Sequence, residues 1–260
     1  MKNVSVSKEN VRANVVFFGD YDVVRISDDN DRYAELVSKL VKKKFIPSSA
    51  QEFSMQVNMN PNGVRIKEDI PERKVIFRPV FLSNALSYKR VISIKADRLD
   101  IVDESCSDLK AFISDASDYV KAFENSFQIK HFRMAINVRF KLYNEKVLSE
   151  DSIRKRFCPN FLTMYEQEGN SLTAWYTQFA RTKEINLGEQ SKIKLNLVIS
   201  VEESTVSGKD LREFWGYIDV NTDAENKDLL LNSDDLSLLM PIVLEEKVHI
   251  LEAVDDVASK

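Results

Sequence analysis

FRMAINVRFKLY, residues 132–143, decides the fold. Phe132, Met134, Ile136, Val138, Phe140 and Leu142 alternate with Arg133, Ala135, Asn137, Arg139, Lys141 and Tyr143. A period of two puts one set on each face of an extended strand, so one face is oily and the other wet. The oily face has to be covered, and the wet one can meet water or a partner. Residues 192–201 repeat the pattern through Ile193, Leu195, Leu197, Ile199 and Val201, and further strands are expected near 172–180 and 211–220.

Helices supply the cover. Across 107–127, Leu109, Phe112, Ile113, Ala116, Tyr119, Val120, Phe123 and Phe127 recur at helical spacing, with Ser107 as the expected N-cap. Burying such side chains contributes roughly 1.5–3 kcal/mol each before ordering costs. A second amphipathic helix carries Tyr33, Leu36, Val37, Leu40 and Val41 behind the capping oxygens of Asp28, Asp29 and Asn30. Lys42–Lys44 end it, and Pro47 marks its exit. The last helix carries Leu239, Val243, Leu244, Val248, Leu251 and Val254, with Pro241 expected in its first turn and 233–240 read as a separate entry.

Before the 107–127 helix lie a strand over 14–26, interrupted near Gly19, and strands over 52–59, 74–82 and 89–102. Pro61-Asn62-Gly63 reads as a turn, and Pro79 assigns its strand to an edge or a bulge. The element order over 14–127 recurs over 130–252. The sequence therefore predicts an α+β protein of two similar βαβββα halves, 1–128 and 129–260, with antiparallel sheets covered by helices, packed as one unit.

Phe45-Ile46-Pro47, VFLS at 80–83, IKADRLDI at 94–101, FRMAINVRF at 132–140 and GYIDVNTD at 216–223 carry a likeness beyond this pattern. In these stretches and in layout over residues 14–252, the chain resembles a sporadically distributed bacterial family of uncharacterised proteins of similar length. The resemblance implies the duplicated α+β fold and an association with mobile or defence genes. It transfers no catalytic residue.

At 260 residues, with hydrophobic residues at 43% and charged residues at 30%, the composition is that of a folded globular protein. Six glycines argue against a glycine-rich phosphate loop. Two cysteines, Cys106 and Cys158, exclude a disulfide scaffold, and His131 and His249 are too few for a histidine-rich metal site. No long apolar run or secretion-type leader is evident, so a cytoplasmic location with no membrane contact is expected. A net charge of −4 predicts no general affinity for nucleic acid.

Chemistry-bearing residues are sparse. Arg133, Asn137, Arg139, Lys141 and Tyr143 share the wet face of the 132–143 strand. Lys192 and Lys194 are expected to extend it into an anion-attracting sheet, and Arg154-Lys155-Arg156 to lie beside it. The same pattern also describes an ordinary solvated face. Asp219, Asp223 and Glu225 form a weak carboxylate set with no nuclease-like lysine. Neither histidine has a nucleophile in context: His249 reads as a packing residue on the last helix and His131 as exposed. No cofactor is implied.

The function expected is a non-catalytic interaction protein, an accessory, antitoxin-like or chaperone-like component of a bacterial defence or stress module. Its partner would be another protein, such as one encoded nearby. The alternative is a nucleic-acid-binding or nucleic-acid-processing protein using the basic sheet face. Homodimerisation through sheet edges is also open.

Overall fold

The computed structural model describes residues 12–24, 31–53, 75–83, 89–142, 153, 156–157, 175–187, 191–205, 212–223, 226 and 230–258. The strands are β1 (Arg12–Gly19), β2 (Phe45–Phe53), β3 (Val75–Ser83), β4 (Arg90–Ile94), β5 (Arg98–Asp103), β6 (His131–Lys141), β7 (Trp175–Leu187), β8 (Ser191–Thr205) and β9 (Arg212–Thr222). The helices are α1 (Asp31–Lys42), α2 (Leu109–Phe127) and α3 (Leu236–Ala258). All nine strands join one antiparallel sheet in the order β2-β3-β4-β5-β1-β6-β9-β8-β7. The α+β class stands, but there is one continuous sheet where two separately covered ones were expected. The reason is the β1–β6 pairing at its centre, from Arg12↔Arg139 to Phe18↔Arg133.

Alternation sets the two faces. Val15, Phe17, Ile92, Leu99, Ile101, Met134, Ile136, Val138, Phe140, Leu195, Leu197, Ile218 and Val220 are all buried on the inner face. There α2 packs on β1, α3 on β6 and β9, and α1 on β2 and α2. No described helix packs on the outer face. All eight apolar α2 residues named above are buried. Its N-cap is Asp108, one residue later than expected, whose Oδ1 accepts from Ala111 N at 3.0 Å.

Several expectations shift. The 89–102 strand is a hairpin, β4 and β5, turning at Lys95–Asp97, so the first half holds one strand more than the second. Pro47 lies inside β2, an edge strand, where a missing N–H is tolerated. Pro79 lies in an interior strand, yet one residue beyond the stretch of β3 that pairs with β4, so its ring meets no ladder there. Pro241 falls inside α3, because the separate entry spans only Ser233–Asp235, a 3₁₀ turn capped by Asn232. Asp28, Asp29, Asn30 and the Pro61-Asn62-Gly63 turn lie outside the described residues. No helix among the described residues is long and apolar enough to cross a membrane.

Candidate functional surface

The outer face of β6 carries Arg133, Asn137, Arg139 and Lys141 as the alternation requires, all half-buried. Each is held by groups on β9 or β8. Arg139 Nη2 donates to Glu202 Oε1 on β8 at 2.5 Å, and its guanidinium lies 4.3 Å from the centre of the Trp215 ring on β9. Lys141 Nζ donates to Glu213 Oε1 at 2.6 Å and sits 5.1 Å from the same ring. Asn137 Nδ2 donates to Asp219 Oδ1 at 2.9 Å, and Asn221 Nδ2 to the same oxygen at 3.2 Å. Arg133 donates to Asn221 Oδ1 at 2.9 Å and Thr222 O at 3.1 Å, and covers the Phe18 ring.

Lys192 and Lys194 belong to β8, which β9 separates from β6. They pair with Glu184 at 3.5 Å and Asp223 at 3.7 Å. The expected continuous basic sheet is thus a chequerboard of opposite charges. Tyr143, Arg154 and Lys155 lie outside the described residues; Arg156 is exposed and helical.

Trp215, Tyr217 and Tyr176 went unnoticed in the sequence. Strand register puts Trp215 between Lys141 and Glu202 and sets Tyr176 beyond Glu202, while Tyr217 lies beside Arg139. The signal is the alternation of FWGYIDVNT, 214–222, in which Phe214, Ile218 and Val220 mark the oily face. Burial pushes the Tyr217 hydroxyl up to about 12, with Asp219 and Tyr176 adding to it and Arg12 opposing. It stays a neutral donor at physiological pH. Asn14, opposite Asn137, has its Oδ1 buried with no hydrogen-bond partner among the described residues.

On the inner face the histidine reading reverses. His131 is fully buried, whereas His249 is exposed on α3. A register shift at Phe18/Gly19 opposite His131 flips the parity of the strand start, turning His131 inward and leaving Phe132 46% exposed. Gly19 permits it: a Cβ there would stand 2.7 Å from the Lys130 carbonyl oxygen. The Tyr21 hydroxyl lies 2.7 Å from His131 Nε2, and burial, reinforced by the Glu124 charge, holds that phenol neutral. His131 Nδ1 lies 3.2 Å from Glu124 Oε1, off the axis of a good hydrogen bond. Glu124 also accepts from the Ser233 backbone and hydroxyl, both at 2.8 Å. Burial alone would raise the Glu124 pKa. The bonds from Ser233 and the nearby His131 ring outweigh it and lower the carboxyl below its ordinary value.

Tyr21, Glu124 and His131 have the residue types of an acid–base relay, but Tyr21 and His131 are wholly enclosed, so no substrate atom reaches them. The cluster fastens β1, α2, β6 and the α3 entry together. Cys106 is buried, which pushes its thiol up to about 12 and leaves it unreactive. Asp219 faces amides and Asp223 a lysine, while Glu225 lies outside the described residues. Among the described residues no three His, Cys, Asp or Glu side chains gather as a metal site. No protein-family model matches the chain, and no curated protein is detectably similar to it.

Proposed function

We propose that the protein is a non-catalytic interaction component whose outer sheet face, which no described helix covers, docks another protein. The observation that carries this reading is the Trp215 platform, an aromatic ring flanked by Arg139 and Lys141 on a face that no described helix covers. Tryptophan, tyrosine and arginine dominate binding hot spots between proteins, because they offer large areas with few rotatable bonds. The matched charges around them suit a surface of mixed sign. With the bacterial resemblance, this favours a cytoplasmic accessory, antitoxin-like or chaperone-like component of a defence or stress module.

A duplicated origin of 1–128 and 129–260 belongs to the same proposal. Two observations support it. Each half opens with a strand that pairs with the last strand of its own run, β1 with β5 and β6 with β9. Asn14-Val15-Val16-Phe17 and Asn137-Val138-Arg139-Phe140 also match, and the two asparagines are cross-strand partners, where a pseudo-twofold axis would pass.

The test is complex formation with the product of an adjacent gene. Trp215→Ala and Arg139→Ala should each weaken a complex by tenfold or more, since central anchors cost about 2 kcal/mol or more when truncated. Unchanged affinity in both variants sinks the reading.

Nucleic acid is the second reading, favoured by Trp215, Tyr217 and Tyr176 lying among amides and cations on one sheet face. Quenching of tryptophan fluorescence by single-stranded RNA or DNA, weakening steeply with salt, would carry it. The acids alternating with these cations favour the protein partner.

A further inference from the structure

The two edges of the sheet are built differently. β2, at one edge, carries Pro47 within its run, which removes a backbone donor from the open side or from the ladder. β7, at the other, is 13 residues long, has no proline, and pairs with β8 without a break from Trp175↔Glu203 to Leu187↔Ser191. It is exposed over most of its length, with Tyr176 at 54% and Phe179 at 56%. A long, regular, partly apolar edge is a template for another strand. Cations turned inward commonly protect such an edge. Here Arg181 is taken up by Glu246, and Lys183 by Glu245 at 3.5 Å, both on α3.

We propose that two copies of the chain join through β7, antiparallel, with Ala180 opposite the partner's Ala180, making one sheet across the dimer. Self-complementarity selects this register. Centred on Ala180, Phe179 faces the partner's Arg181, Tyr176 the partner's Glu184, Gln178 the partner's Thr182, and Thr177 the partner's Lys183. Aromatic meets cation twice, and no like charges are opposed. Centring on Arg181 or Lys183 opposes each to its own copy, and centring on Thr182 opposes Arg181 to Lys183. Centring on Phe179 shortens the paired stretch, because β7 begins at Trp175.

Facing residues share parity, so the twofold axis stands perpendicular to the sheet and both α3 helices lie on the same side. Val248, one turn beyond Glu245, is 49% exposed there and would be covered with Phe179. This dimer uses the sheet edge and is independent of the outer-face reading.

Sedimentation equilibrium of the full chain should give twice the 29.9 kDa monomer mass. Phe179→Lys, which opposes the partner's Arg181, should weaken the dimer about tenfold or more at unchanged circular dichroism, while Phe179→Glu should restore it. Under oxidation, Ala180→Cys should give a disulfide-linked dimer that Thr182→Cys and the wild type do not. A wild-type monomer, a dimer indifferent to Phe179→Lys, or equal cross-linking of the two cysteine variants would each overturn the proposal, as would a monomer that accepts only a foreign strand.

Discussion

The two faces of the sheet handle charge in opposite ways. On the inner face Arg90 and Asp103 bury their pair, with side chains 7% and 2% exposed. Arg90 further donates to Asp115 Oδ2 at 2.6 Å and Tyr119 Oη at 2.9 Å and lies over Phe112. On the outer face Arg139 and Glu202 pair at 41% and 33% exposure. Water screens the outer pair and not the inner one. Inner charges therefore fasten elements, and outer charges, on the proposed reading, are left to choose partners.

The sharpest way to break this comparison is Arg90→Ala. It leaves the buried Asp103 carboxylate without its cation, and removing one member of a buried pair costs about 3–5 kcal/mol. Urea unfolding should show the loss as a lower midpoint. Next comes Gly216→Ala. Gly216 faces Phe140 across the β6–β9 ladder, and a Cβ would stand 2.6 Å from Phe140 Cζ. Phe140 is buried, so its ring has little room to retreat, and the overpacking should cost about 1–3 kcal/mol by the same measurement.

Strand and helix periodicity made the inner face legible. The apolar α2 stripe and the β6 set from Met134 to Leu142 lie where spacing puts them. Less legible were features that depend on a neighbour. His131 turned inward because of a register shift opposite Gly19, an event written in two distant segments. The break at Lys95–Asp97 hid inside a run that reads as one strand, since neither glycine nor proline marks it. The outer-face cations were visible one by one, but their neutralisation by Glu202, Glu213 and Asp223 depends on strand order, which periodicity does not encode. Trp215 and Tyr217 stood in plain alternation and were readable.

A smaller effect sharpens the inner half of the comparison. Glu124 has a lowered pKa in the folded state, so its bonds from Ser233 and its contact with His131 stabilise the protein above the ordinary value of 4.5 and are lost as pH falls through the folded value. Glu124→Gln should therefore flatten the acid limb of a plot of unfolding midpoint against pH below about 4.5. It should leave the limb above neutrality nearly unchanged. An acid limb of wild-type steepness would show that the carboxylate is not what fastens α2 to the α3 entry.

Arg139→Ala carries the smallest stability effect and the most functional weight. The pair it breaks is partly exposed, and such pairs contribute about 0–1 kcal/mol. The stacking on Trp215 adds about 0.5–1 kcal/mol at a wet site. Unfolding should consequently move far less than for Arg90→Ala, although both are arginines bonded to a carboxylate and stacked on an aromatic ring. A stability loss equal to that of Arg90→Ala would mean that the outer face is buried in the working protein. The distinction between fastening and recognition would then fall. A small stability loss joined to a large loss of partner binding would separate the roles, since the same guanidinium chemistry would be serving the fold on one face and a second molecule on the other.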